Sequence, residues 1–174
     1  MANDIKIPEC CQDRPLYKGL VIPFTTLIGA DGAPDFKVTD LEIWFRCIDE
    51  KLCAVCGKRL DYWTWYIGGP WQHVQQKFFD PAMHEQCARY ATAVCPFIAY
   101  GKQYAQVLKH HEGMKVMAFA AADFLENPEK MYLTKHRRDT VEICREGNRH
   151  FVKVGPAFVV EEIVRRYPSA TSGV

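Results

Sequence analysis

Two closely spaced pairs of soft donors constrain this chain more than any other feature: Cys53 and Cys56 in LCAVCGK, and His84 and Cys87 in DPAMHEQCARYA. Thiolate and imidazole are ligands that zinc prefers, and three cysteines with one histidine complete a tetrahedral structural site. Each pair belongs to one piece of local structure. The first is a knuckle turned at Gly57; the second sits in the opening turns of a helix, where residues three apart share a face. The sequence therefore predicts one structural zinc ion on Cys53, Cys56, His84 and Cys87. An ion closed on all sides by protein ligands stabilises a fold and leaves no coordination position for a substrate. The 27 residues between Cys56 and His84 suffice for a β-hairpin, so the expected arrangement is a knuckle, a hairpin and a helix, the treble-clef type.

The remaining cysteines are read against the redox setting. There are eight cysteines, but MANDIKIPECC lacks a basic start followed by an apolar run, and no long apolar stretch follows. That points to a reducing, cytoplasmic location, with cysteines serving as ligands or buried thiols rather than disulfides. Cys47 and Cys95 read as buried thiols, since Cys95 lies about two helical turns from Cys87, roughly 12 Å. Cys10 and Cys11 suggest a second metal with His110 and His111 only if the fold brings them together, and the favoured reading is unrelated residues.

With 48% hydrophobic and 25% charged residues the chain is globular in composition, and a formal net charge of +1 gives no global attraction for nucleic acid. The predicted class is α+β. Residues 1–18 read as a flexible arm and 19–168 as a single zinc-stabilised domain: a zinc core at about 52–96, a β-rich part at about 115–155 and a final helix at about 156–167. Residues 169–174 should fray. Within that frame, GLVIPFTTLI is β-rich with Pro23 at an edge or bulge, and TDLE at Thr39–Glu42 reads as a capping box opening a helix with Leu41, Trp44, Phe45, Ile48 and Leu52 on its apolar side. DYWTWYIGGPW and VQQKFF read as two strands joined at Gly68–Pro70. Asp80 and Pro81 read as the start of a helix to Val94. KQYAQVLKHH suggests a short helix, KVMAFAAADF is ambiguous, MYLTKHR is extended, and DTVEICREGNRHFVKVG is a hairpin turning at Glu146–Asn148. Pro156 reads as the first residue of the last helix.

Two surfaces invite partners. Tyr62, Trp63, Trp65, Tyr66 and Trp71 form an aromatic run able to stack on bases or anchor a protein. Strand alternation sends half of them into the core. Lys135, Arg137 and Arg138, with Arg145 and Arg149 on the neighbouring hairpin, form the strongest basic cluster, which fits phosphate binding and also fits an ordinary solvated face. An HNH-like, treble-clef metal-dependent nuclease is the enzymatic alternative. It would need a histidine base and a second, open metal, for which the hairpin offers only His73, in WQHVQQ, without an adjacent acid. No Ser/His/Asp order, P-loop or dinucleotide fingerprint is present.

The run LCAVCGKRL, with YIGGPW, DPAMHEQCARYA and AVCPFIAYGK, resembles a group of uncharacterised phage, prophage and bacterial proteins that share CxxCG, HxxCAxYA and CPF elements. The likeness is strongest from Leu52 to Lys102 and poorest from Lys109 to Arg149. It implies zinc on Cys53, Cys56, His84 and Cys87 and a phage or mobile-element setting. It brings no activity with it. The expectation is a non-catalytic, zinc-stabilised binding protein that engages a host protein or nucleic acid, with no membrane and no small-molecule substrate.

Overall fold

A computed structural model describes residues 5–99, 113, 115–118 and 128–164. Its helices and strands are mixed along the chain, and the Cys/His residues sit where the N-terminal segment, the knuckle and one helix meet. A 3-10 turn, Glu9–Cys11, leads to a small hairpin of β1 (Leu16–Tyr17) and β2 (Leu20–Val21). Strands β3 (Thr26–Ile28) and β4 (Pro34–Asp40) then pair antiparallel, and β7 (Val116–Ala118) adds to the other side of β4. The apolar run around Pro23 thus divides into β2 and β3, because a residue without an N–H cannot continue a ladder.

Helix α1 (Leu41–Asp49) begins one residue later than the TDLE motif suggests. Asp40, rather than Thr39, is the cap: its carboxylate accepts from the N–H groups of Glu42 and Ile43 at 3.0 and 3.1 Å. Thr39 is buried as part of β4. A carboxylate cap satisfies two otherwise orphaned donors and is worth about 1 kcal/mol. The apolar stripe behaves as its spacing predicts except at Leu52, which lies beyond the helix end in an isolated bridge with Arg59. Trp44 and Cys47 are buried, while Leu41, Phe45 and Ile48 pack partly against the core. The indole N–H of Trp44 donates to the Phe79 carbonyl at 2.7 Å, so a fully buried ring keeps its polar atom satisfied.

The expected hairpin after the knuckle does not form. Strand β5 (Trp63–Gly68) is followed at once by a short helix, α2 (Pro70–Gln75), and then by β6 (Lys77–Phe78), which pairs with a different sheet. Gly69–Pro70 is a helix start instead of a strand turn: proline at the first helical position loses no hydrogen bond, and the Gln72 side chain accepts from the Gly69 N–H at 3.0 Å. The treble-clef reading is corrected on this point. The partner of β5 is β8 (Tyr132–Arg137), more than sixty residues downstream, with Trp63 opposite Arg137 and Trp65 opposite Lys135. On its other side, among the described residues, β5 makes a single bridge, between Trp65 and Met83.

The next helix, α3 (Glu85–Val94), begins with His84 as its cap residue, not at Asp80–Pro81. Pro81 and Ala82 stay outside the helix, where Ala82 O accepts from the knuckle's Ala54 N–H and Met83 exchanges hydrogen bonds with Trp65 of β5. A one-turn helix, α4 (Pro96–Ala99), follows. The hairpin of β9 (Val141–Glu146) and β10 (Arg149–Val154) turns where the sequence places it, with Gly147 at φ +59°. The final helix is the other correction. Val159–Glu162 is a strand, β11, paired antiparallel with β8. β-branched valines suit a pleated surface, and β8 has an edge whose N–H and C=O groups require partners. Residues 102–111, 119–124 and 165–174, on which part of the helix, strand and tail readings fall, lie outside the described residues.

Beside the two-stranded β1-β2, the sheets among the described residues are thus β3-β4-β7, β11-β8-β5 and β6-β10-β9. One continuous apolar cluster runs from Cys11 through Trp44, Tyr66 and Phe78 to Val154. Residues 1–18 were expected as an arm; within them, Cys11 is wholly buried and Ile5 and Ile7 pack on the core. Between two sheets lies a satisfied polar network. His136 places Nδ1 2.9 Å from the Gly155 carbonyl and Nε2 2.9 Å from Thr134 Oγ1, while the Thr64 hydroxyl donates to the His136 carbonyl. Burial lowers the His136 pKa, so the ring packs neutral beside Tyr66 and Phe78.

Candidate metal centre

The knuckle is built by backbone. Cys53 N–H donates to Lys58 O at 2.8 Å and Gly57 N–H to Cys53 O at 2.9 Å, closing the loop around Cys56. Gly57 has φ +73°, and a Cβ there would stand 2.9 Å from the Phe24 ring, so both conformation and space demand glycine. Two neighbours clamp the loop. Phe24 and Thr25 N–H groups donate to Val55 and Ala54 carbonyls, and Ala54 N–H donates to Ala82 O. That last bond sets the segment carrying His84 beside the knuckle.

His84 is aimed by both ring nitrogens. Nε2 lies 2.8 Å from the Arg59 carbonyl and Nδ1 lies 3.4 Å from Cys56 Sγ. A carbonyl can only accept, so the proton belongs on Nε2 and the Nδ1 lone pair faces the sulfurs, the outer-partner arrangement that orients metal-ligating histidines. Cys87, one turn into α3, is wholly buried.

The donor atoms of Cys10, Cys56, His84 and Cys87 all lie within 4.8 Å of one another, close enough to hold a metal ion. Cys10 Sγ is 3.3 Å from Cys87 Sγ. Around a tetrahedral ion with about 2.3 Å to sulfur and about 2.0–2.1 Å to nitrogen, donors stand roughly 3.5–3.8 Å apart, so the cluster is of the right size. Three of the four residues that spacing singles out, Cys56, His84 and Cys87, meet here. Cys53 lies directly against them. Burial opposes its ionisation, but hydrogen bonds from the Cys56 and Cys87 thiols and from the Cys56 and His84 N–H groups hold its thiol well below the ordinary range.

Sequence reasoning did not place Cys10 in this set. Its contact with Cys87 spans 77 positions, and only the adjacent Cys10–Cys11 pair hinted at metal chemistry. Cys11 Sγ is 3.7 Å from Cys87, and burial pushes its thiol up to about 12. Burial also pushes Cys47 up to about 12, in keeping with its reading as a buried thiol. Hydrogen bonds that the Cys87 thiol donates to Cys53 and Cys56, with burial, raise Cys87, and the hydrogen bond to Cys56 raises His84. His110 and His111 lie outside the described residues.

The partner residues divide. Trp63, Lys135 and Arg137 come together on the β11-β8-β5 sheet, where Lys135 Nζ lies 4.7 Å from the Trp63 ring centre. Trp65 does not join a surface: it is 4% exposed, beneath the Arg89 guanidinium. Arg138 is partly buried and donates to the Leu60 carbonyl at 2.7 Å. Arg145 and Arg149 belong to the separate β9–β10 hairpin, where Arg145 donates to Gly147 O. His73 packs against Tyr132, 4.8 Å between ring centres, with a buried Nδ1. Among the described residues no helix is long and apolar enough to cross a membrane.

Comparison with known proteins finds no matching family model, no matching curated protein and no matching solved structure.

Proposed function

We propose that the cluster holds a single structural zinc ion, ligated by Cys10, Cys56, His84 and Cys87 with Cys53 as an adjoining sulfur. On this reading the chain is a non-catalytic, zinc-stabilised binding protein of the phage or prophage kind, engaging a host protein or nucleic acid. The observation that carries it is the donor set: three thiols and one oriented imidazole gathered from the N-terminal turn, the knuckle and α3. Soft sulfur with imidazole suits zinc over the oxygen-seeking divalent cations, and four protein donors leave no open position for chemistry. Zinc binding in small domains supplies about 10–16 kcal/mol of apparent free energy, enough to decide whether three distant segments stay together.

The test is metal analysis of purified protein, paired with a melting curve before and after chelation. One equivalent of zinc and a sharp loss of cooperative unfolding on its removal are expected. A metal-free protein that melts unchanged would refute the structural role.

A further inference from the structure

We propose that the outer end of the β11-β8-β5 sheet is a stacking surface for single-stranded nucleic acid, an inference that rests on the binding role proposed above and names its partner. Three rings at the starts of two strands form the surface. Trp63 opens β5, with Tyr62 beside it at 5.1 Å between ring centres, and Phe158 leads into β11 with its ring 5.0 Å from Trp63. Phe158 is 54% and Tyr62 49% exposed. These are large apolar groups left at the surface, yet they are not loose, because the Phe158 N–H donates to the Lys135 carbonyl at 2.8 Å.

Cations alternate with the rings. Lys135 Nζ lies between Trp63 and Trp65, at 4.7 and 5.8 Å from their centres, and the Arg137 guanidinium is 5.0 Å from Phe158. Neither Lys135 nor Arg137 makes an ion pair among the described residues, whereas the carboxylates of β11 are already matched, Glu161 by Arg89 and Glu162 by Lys130. Asp61 and Asp139 stand just outside the paired ends of β5 and β8. The result is exposed π faces interleaved with uncompensated positive charge, the pattern that receives stacked bases on rings and phosphates on cations. Tyr62 and Phe158 stand about half exposed just before β5 and β11, where their faces are open to a base as in sequence-tolerant single-strand binders.

The probe is a fluorescent oligothymidylate of about 12 nucleotides, titrated into full-length, metal-loaded protein, with heparin as a polyanion lacking bases. Binding should weaken steeply between about 50 and 200 mM salt. Phe158→Ala and Trp63→Ala should each weaken it by about 5- to 100-fold. Lys135→Glu with Arg137→Glu should lower the slope of log affinity against log salt by about 1.4, two phosphates at about 0.7 each. Phe158→Ala is the decisive variant, because a half-exposed ring can be removed without emptying the core; Trp63→Phe, which keeps a stacking face, should retain most affinity. Oligonucleotide binding that is absent at low salt, or unchanged in Phe158→Ala, overturns the proposal. Measured zinc content and an intact melting transition in the same samples keep this failure distinct from failure of the structural-zinc reading.

Discussion

Replacing Cys10 by alanine separates two ways in which this cluster could hold the proposed ion. Cys10 is one of four donors within 4.8 Å of one another, and zinc in small domains contributes about 10–16 kcal/mol through four ligands, so one ligand carries roughly 2.5–4 kcal/mol. Cys10→Ala should therefore lower zinc affinity by at least about 60-fold, about 2.5 kcal/mol at 1.4 kcal/mol per tenfold. Cys11→Ala is the matched control: its sulfur touches Cys87 at 3.7 Å yet stands outside the four, so affinity should hold within a few-fold. Competition against a chromophoric chelator measures the affinity. Cobalt substitution reports the number of thiolates through the sulfur-to-metal charge-transfer band, which should lose about a third of its intensity, one thiolate of three. If Cys10→Ala binds zinc as the parent does while Cys53→Ala abolishes binding, the reasoning is refuted, and the ion belongs to the knuckle pair with His84 and Cys87.

Other consequences follow from the same geometry. Cys56→Ser, which removes the donor touching His84 Nδ1, should leave a protein that aggregates or melts without a cooperative transition, read by calorimetry and metal content. Gly57→Ala forces a side chain into φ +73° and against the Phe24 ring; a loss of about 2–3 kcal/mol in denaturant unfolding is expected, combining the left-handed penalty with the clash. Asp80 gives a pH test. Burial raises its carboxyl from 3.8 to about 6, so between those values the folded state holds the extra proton and stability falls as pH rises. The penalty is complete above pH 6, at most about 3 kcal/mol, and Asp80→Asn should remove it. Parent and variant that differ equally at pH 4 and pH 7 would contradict the assignment.

The elements that the sequence made legible are those settled by local chemistry. The apolar stripe of α1, the Glu146–Asn148 turn and the strand at Tyr132–Arg137 are recovered because periodicity and a glycine at positive φ act over a few residues. Where the reading failed, a distant partner decided. VVEE after Pro156 carried helix-start chemistry at Pro156, but the unfilled edge of β8 made it a strand. The Gly-Gly-Pro after β5 looked like a hairpin turn until the true partner of β5 came from residues 132–137. Phe158 escaped notice as a surface residue for the same reason, since only the pairing of β11 with β8 brings it to Trp63.

The donor set shows the same division, and it says what the ion has to overcome. Cys56 sits on the knuckle with Cys53 hydrogen-bonded to it, and His84 and Cys87 open α3; each short-range pair is nearly preformed by backbone hydrogen bonds. Cys10 is different, because its contact with Cys87 closes a loop of 77 positions, at an entropic cost of about 4 kcal/mol by the logarithmic rule. A sulfur contact that gains a fraction of that cannot hold the N-terminal turn by itself; burial of Cys11 and partial burial of Ile5 and Ile7 supply part, and on the proposed reading a metal bond supplies the rest. On chelation the segment before β1 should therefore detach first, ahead of the loss of the cooperative transition, seen as proteolytic cleavage between Gln12 and Lys18 at a time when the α3 amides are still protected from exchange. Simultaneous loss of both would mean that the ion and the core form one cooperative unit, and that Cys10 is no more peripheral to it than Cys87.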